Sequence, residues 1–228
     1  MLDKLFDERL QNEMTAFFLE KLAPLGKREI YEKEAIVGQD SCDYFYIVTG
    51  GCFKQMAYSQ NGKEISFFRL KPGTIFGEMD YFDEACTIAM TKSLEKGSTV
   101  SKIHRTVLEQ ALAENPKIYR YIIHSITRKY RIMLLNKINS VAYDSKGQVC
   151  ELLMQLLSQY GIGESEEKVI PYVYTHQELA NSLGISRITV TNIINELKIE
   201  GIIAYQGKFI KIVDEGRLKS FYCPVWDE

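Results

Sequence analysis

The side chains best suited to chemistry in this sequence cluster between residues 175 and 192. Arg187, Ile188, Thr189, Thr191 and Asn192 follow directly on Ser186. Together they hold the donors, acceptors and methyl groups needed to read the edges of bases. An arginine fork offers guanine two parallel hydrogen bonds, an asparagine amide does the same for adenine, and isoleucine or a threonine methyl meets the methyl group of thymine. Thr175, Gln177 and Lys208 add a hydroxyl, an amide and an ammonium of the kind that hold a phosphate backbone.

Such groups act only if a rigid frame presents them. Thr175 and Glu178 have the spacing of a capping box, which satisfies the first amides of a helix. Leu179 and Ala180 face inward on that helix. Leu183-Gly184-Ile185 then makes a turn in which glycine accepts a left-handed backbone. Ser186 is an N-cap for a second helix, with Val190, Ile193, Ile194 and Leu197 at helical spacing. The pattern predicts a helix-turn-helix whose second helix carries the polar set into a major groove. GIIAYQGKFIKI, residues 201–212, reads as two short strands about a Gln206-Gly207 turn. That is a wing, on which Lys208 or Lys211 can meet phosphate. The competing reading is a helix-turn-helix used only as a packing unit for protein contacts.

The N-terminal half has a different character. Residues 5–22 carry an apolar stripe at helical spacing, ended near Pro24 and Gly26. From about Arg28 to Ile103, short runs rich in aromatic and β-branched residues alternate with turn signals. The runs include YFYIV (44–48), EISFFRL (64–70) and TIAM (87–90). The turn signals are Gly50-Gly51, Asn61-Gly62, Pro72-Gly73 and Gly97-Ser98. Asn61-Gly62 predicts a two-residue hairpin turn with both residues at positive φ. Many short strands at this spacing mean a barrel, sandwich or β-roll. After Thr106 the period lengthens, and Pro116 opens a helix predicted to run to about Val141. A helix of that length bridges two domains or pairs with its copy, unless it is simply a core helix of one domain. It carries Lys117, Arg120, Arg128, Lys129, Arg131 and Lys137 with no acid, which reads as a solvated face more readily than as a DNA contact. Lys146-Gly147 looks like a hinge, followed by an apolar helix over 148–160 and a polar loop over 161–168.

Composition sets the outer limits. The chain has 228 residues, 46% hydrophobic and 25% charged, with a net charge of −2. Those values suit a folded chain with one large or two small domains, and bulk charge lends no help to nucleic-acid binding. No basic start precedes an apolar segment and no run is long enough to span a bilayer, so the expected location is the cytoplasm, with no membrane partner. Cys42, Cys52, Cys86, Cys150 and Cys223 are scattered, and His104, His124 and His176 lie far apart. Neither set has metal-ligand spacing, so no metal, no cofactor and no catalytic group is expected. A cupin-like metal oxygenase would need clustered histidine ligands that are not there.

Taken in order, the motifs resemble the CRP/FNR superfamily of transcription regulators. The resemblance rests on YFYIVTGGCFKQ (44–55), LKPGTIFGEMDYF (70–82), ENP (114–116) and the THQELANSLGISRITV run, and covers nearly the whole chain. It implies an α+β architecture of three parts. These are an effector-sensing β-roll (a double-stranded β-helix) with flanking helices over 1–115, a dimerisation helix over 116–143, and a winged helix-turn-helix over 144–228. It further implies a homodimer that reads an inverted repeat in double-stranded DNA, answers to a small-molecule effector and works with RNA polymerase.

The effector site implied by the resemblance is Phe76, Gly77 and Glu78 with Cys86, Thr87, Ile88, Ile132 and Met133. Members that bind cyclic AMP follow Gly-Glu, some ten residues on, with an Arg-Ser pair that takes the phosphate. Here Gly77-Glu78 stands, but residues 85–89 read Ala-Cys-Thr-Ile-Ala without an arginine. Ile132-Met133 stand where a Thr-Ser pair is expected on the dimer helix. A buried phosphate without its cation is poorly held, so the expected effector is not cyclic AMP but an apolar or aromatic molecule, with or without a carboxylate. In lacking that arginine the chain looks similar to the branch that senses halogenated aromatics. Glu78 is then either a ligand contact or a structural carboxylate. Two alternatives keep the same scaffold: a thiol switch at Cys86, or a regulatory module that acts on a protein partner. Many relatives carry glutamate and arginine at the positions of Ile188 and Asn192, so the expected half-site is A·T-rich.

Overall fold

The computed structural model describes residues 8–38, 42–84, 89–160 and 168–222, and the structural statements that follow concern these. The chain divides into two compact units, Asp7–Met133 and a second that carries Leu134–Glu228.

The first unit opens with helix α1 (Glu8–Phe17), which continues as a π turn over Phe18–Leu22 and a 3-10 turn over Ala23–Leu25. Its strands are β1 (Lys27–Tyr31), β2 (Ile36–Val37), β3 (Tyr44–Gly50), β4 (Phe53–Tyr58), β5 (Glu64–Leu70) and β6 (Ile75–Phe76). A short helix α2 (Glu78–Asp83) precedes β7 (Met90–Ser93) and β8 (Ser98–His104). They form two four-stranded antiparallel sheets, ordered β1-β8-β3-β6 and β2-β7-β4-β5. Of the barrel, sandwich or β-roll that the turn-punctuated aromatic runs allow, this is the β-roll, as the family resemblance implies.

The apolar run of β3 is buried on both faces, and its side chains alternate between two cores, as a strand requires. Phe45 and Ile47 pack with Phe18, Leu22, Tyr81 and Ile103. Tyr46 and Val48 pack inside the roll with Phe53, Phe76 and Val100.

Two local expectations need correction. The β4–β5 hairpin exists, but Asn61 is not at positive φ. Gly62 alone is left-handed (φ 73°), its N–H donates to Ser59 O, and Ser59 pairs with Lys63 across the loop. The connection is a three-residue loop closed by a glycine, not a two-residue turn. Of TIAM, Thr87 and Ile88 are outside the described residues, Ala89 is not in a strand, and β7 starts at Met90.

Helix α3 (Arg105–Glu114) is capped by the His104 ring, which accepts from Thr106 N. Helix α4 (Lys117–Ala142) follows, with Ile118 and Ile122 buried in the first core.

The second unit holds helix α5 (Ser145–Tyr160), strand β9 (Lys168–Ile170), helices α6 (His176–Leu183) and α7 (Arg187–Ile199), strands β10 (Ile203–Gln206) and β11 (Phe209–Ile212), and helix α8 (Glu215–Ser220). The strands form one antiparallel sheet, β10-β11-β9. Leu153, Leu179, Ala180, Val190, Ile194, Leu197, Ile210 and Leu218 make its core, and each is 1% exposed or less. Truncating a leucine such as Leu197 to alanine would cost about 2–5 kcal/mol. That burial fixes which face of α7 is left for solvent. Among the described residues no helix is long and apolar enough to cross a membrane.

Candidate functional site

The frame of the helix-turn-helix is built as its sequence predicts. Thr175 N donates to Glu178 Oε2 (2.8 Å) and Glu178 N to Thr175 Oγ1 (3.1 Å), a complete capping box at the start of α6. Gly184 ends that helix at φ 73°, a conformation that an L side chain resists. Ser186 Oγ accepts from Thr189 N at 3.0 Å, capping α7.

With Val190, Ile193, Ile194 and Leu197 buried beneath, α7 turns Arg187, Ile188 and Asn192 outward, and Ile188 is 74% exposed. Thr189 and Thr191 are half-buried, and both hydroxyls have partners inside the protein. Thr189 Oγ1 lies 2.8 Å from Ser186 Oγ. Thr191 Oγ1 donates to Arg187 O (2.9 Å) and lies 2.9 Å from His176 Nδ1. Gln177 is exposed and donates to Asn181 Oδ1 (2.7 Å). Lys208 stands exposed at the tip of the wing, in the two-residue loop Gly207-Lys208 between paired Gln206 and Phe209. His176 is the addition: sequence reasoning passed over it because a histidine at the first position of a helix has no signature of its own.

In the β-roll, β6 leads through Gly77 into α2. Gly77 has φ 80°, and a Cβ there would meet Tyr46 Cδ2 at 3.0 Å and Tyr44 O at 3.2 Å, so the position admits only glycine. The turn buries Glu78 to 4% exposure. Its partner is Lys129 of α4, whose ammonium donates to Glu78 Oε1 at 2.6 Å and to Ile75 O at 2.8 Å. The Lys129 side chain is 12% exposed, and its ammonium lies 6.0 Å from the centre of the Phe68 ring. Glu78 Oε2 is buried and has no hydrogen-bond partner. Beside it lies a small cleft bounded by Val37, Gln55, Phe76, Glu78, Ala89 and Thr91, with room of about 20 Å³, enough for one water. Phe76 stacks on Tyr46 at 4.8 Å and 8°. Burial pushes the Lys71 ammonium down to about 8, and Arg128 and Arg69 push it the same way, against the opposing influence of Cys52.

The residues expected around an effector are thus only partly gathered. Phe76, Gly77 and Glu78 border the cleft. Cys86, Thr87 and Ile88 lie outside the described residues. Ile132 is half-buried and Met133 is 48% exposed, because the helical turn that faces Glu78 is that of Lys129, one turn earlier. The sequence put Lys129 in a solvated basic face; the structure leaves it half-buried, its ammonium turned in against Glu78. Among the cysteines, Cys150 is buried and desolvation pushes its thiol up to about 12, which suits an inert core residue. Among the described residues no cluster of His, Cys, Asp or Glu could hold a metal ion.

Comparison with known proteins places both units. Residues 27–115 match the cyclic nucleotide-binding domain, and residues 147–221 match the Crp-like helix-turn-helix domain. A CRP-like cAMP-activated global transcriptional regulator of Mycobacterium tuberculosis is 27% identical over 176 residues, 77% of this chain and 78% of its own. Among solved structures, a CooA variant from Carboxydothermus hydrogenoformans has a TM-score of 0.75 at 19% identity, covering 88% of this chain and 89% of that one. CprK complexed with OCPA has a TM-score of 0.71 at 15% identity, covering 96% and 95%. With a cyclic-nucleotide-binding-type roll ahead of a Crp-like helix-turn-helix, the chain belongs to the CRP/FNR family of ligand-responsive transcription regulators.

Proposed function

We propose that this regulator answers to an aromatic or otherwise apolar small molecule bearing an acidic group, and not to cyclic AMP. The observation that carries the reading is the buried Lys129–Glu78 pair beside Phe76 and Tyr46. One oxygen of Glu78, the carboxylate that takes the ribose in cyclic-AMP-binding members, is already held by an ammonium. No arginine stands in residues 85–89 to take a phosphate. An effector carboxylate or phenolate would instead find the Lys129 ammonium and share it with Glu78, since taking it away outright would strand the Glu78 carboxylate. The aromatic shelf would hold the remainder of the ligand. A cleft with room for one water must widen to admit it, so binding and a shift in conformation are coupled.

The regulator acts as a homodimer on double-stranded DNA, reading an A·T-rich inverted repeat, and it works with RNA polymerase in the cytoplasm without catalysis of its own. Support for the dimer comes from the outward face of α4. Tyr119, Ile123, Ile126, Tyr130 and Met133 recur at steps of four and three, and all are 36–61% exposed. That is the seam of a coiled coil waiting for its copy. Support for the half-site comes from Ile188, an apolar group turned out where a base-contacting residue belongs.

The test is a thermal-melting panel on the full chain with cyclic AMP, cyclic GMP and aromatic and halogenated aromatic acids. A ligand at about a hundred times its Kd adds about 2.7 kcal/mol. Stabilisation by an aromatic acid and not by cyclic AMP is the expected result. Stabilisation by cyclic AMP alone would overturn the effector reading.

A further inference from the structure

We propose that His176 is a proton-linked DNA contact, which ties the recognition helix to the wing and tightens on DNA when it takes up a proton. The proposal rests on the DNA-binding role of the winged helix-turn-helix and adds a residue and a proton to it.

The hydrogen bonds fix where the imidazole proton sits. Thr191 has one hydroxyl hydrogen, and it goes to Arg187 O at 2.9 Å. The 2.9 Å contact between Thr191 Oγ1 and His176 Nδ1 must therefore be a donation from Nδ1. In the neutral ring Nε2 is then an acceptor, and its neighbour is the Tyr205 hydroxyl of β10 at 3.5 Å, a long bond on the exposed side. Burial raises the Tyr205 phenol above its ordinary value, so it stays a donor. A second ring proton would find the Tyr205 oxygen 3.5 Å away, too far for a strong bond, and is left to a closer acceptor. An imidazolium would present Nε2–H where α6 meets α7 and strand β10 of the wing, next in the chain to exposed Thr175 and one hydrogen bond removed from exposed Arg187 through Thr191. There a phosphate oxygen completes a charge-assisted bond.

The surrounding groups leave that role open. On its own helix Glu178 is the nearest acid, and its Oε2 accepts from Thr175 N and Thr175 Oγ1. From α7 the charged residue is Arg187, one turn before Thr191, and from β10 the titratable residue is Tyr205. Histidine is the side chain whose unperturbed charge change falls between about pH 5 and 8, so a comparison of pH 6 with pH 8 is the one that probes this contact. Because a phosphate contact is independent of sequence, it is measurable on non-specific DNA at low salt.

The experiment measures Kd of the full chain for a random-sequence duplex at low salt, at pH 6 and at pH 8, for wild type and His176→Gln. Glutamine keeps a donor towards Thr191 and cannot charge. One linked proton gives wild type roughly a tenfold gain in affinity at pH 6 over pH 8, and His176→Gln should stay within about twofold. NMR titration of the His176 ring with and without duplex gives an independent reading, and its midpoint should rise when DNA is added. A His176→Gln protein that keeps the wild-type pH dependence, or a midpoint unmoved by DNA, overturns the proposal while leaving DNA binding intact. Failure to bind any duplex at either pH would overturn the DNA-binding role and this proposal together.

Discussion

Replacing Lys129 by methionine removes the ammonium and keeps most of the volume of the side chain. Glu78 would then be a carboxylate at 4% exposure with one oxygen already unpartnered and the other newly so. Breaking a buried ion pair from one side costs about 3–5 kcal/mol, mostly as the penalty of the charge left behind. An exposed pair would cost about 0–1 kcal/mol. The two cases are far enough apart to separate by urea denaturation of the first unit, or by melting, where the loss amounts to a shift on the order of 10 °C. Adding Glu78→Gln to Lys129→Met removes the stranded charge, so the double variant should recover most of the loss. A double-mutant cycle isolates that coupling. If Lys129→Met costs less than about 1 kcal/mol and Glu78→Gln shows no coupling to it, Lys129 does not sit on Glu78 and has no place as the cation for an acidic effector.

Three further outcomes are expected. Burial raises the Glu151 carboxyl to about 7 from 4.5, against the opposing influence of Asn139. The folded state therefore binds more protons than the unfolded state between pH 4.5 and 7. Stability of the second unit should fall as pH rises through that window. Glu151→Gln should flatten the fall and stabilise the unit by roughly 1–3 kcal/mol at pH 8, with little effect at pH 5, as chemical denaturation at the two pH values would show. Tyr130→Glu or Ile123→Glu would place a charge on the apolar seam of α4 and weaken the dimer by about a hundredfold or more in sedimentation velocity. A dimer that persists would move the interface elsewhere. Asn192→Ala should cost about 1–3 kcal/mol on a selected site and relax the preference at a single base position. A uniform loss across all sequences would instead make Asn192 a backbone contact.

The helix-turn-helix was legible residue by residue, because its signals are local. A capping box, a left-handed glycine, an N-cap and one apolar stripe each need only a few neighbours in sequence. The β-roll was legible as a class but not in detail. Whether Asn61-Gly62 makes a two-residue or a three-residue loop depends on the twist and bulge of the paired strands, here a register shift between Gln55 and Met56. Strand β9 escaped notice because three residues after an acidic stretch of sequence have no period, and it is β11 that recruits them.

The cleft was the least legible part. Glu78 could be picked out by a motif, but Lys129 lies 51 positions away on an evenly basic helix, and only the packing of α4 against β6 shows which of six cations turns inward. The same long-range dependence explains why Ile132 and Met133, one turn further along, do not line it. On α7 the sequence offers Thr191 to the bases through its methyl group; that its hydroxyl is held by Arg187 O and His176 could be seen only in the folded unit.

The most direct test is the affinity of the full chain for a duplex selected from a random library, measured by fluorescence anisotropy with and without the aromatic acid that most raises its melting temperature. Coupling between effector and DNA sites is typically about 1–3 kcal/mol, so Kd should change by roughly tenfold or more, and Lys129→Met should abolish the change. A ligand that binds the roll and leaves Kd for DNA unaltered would contradict ligand-responsive DNA binding through this cleft.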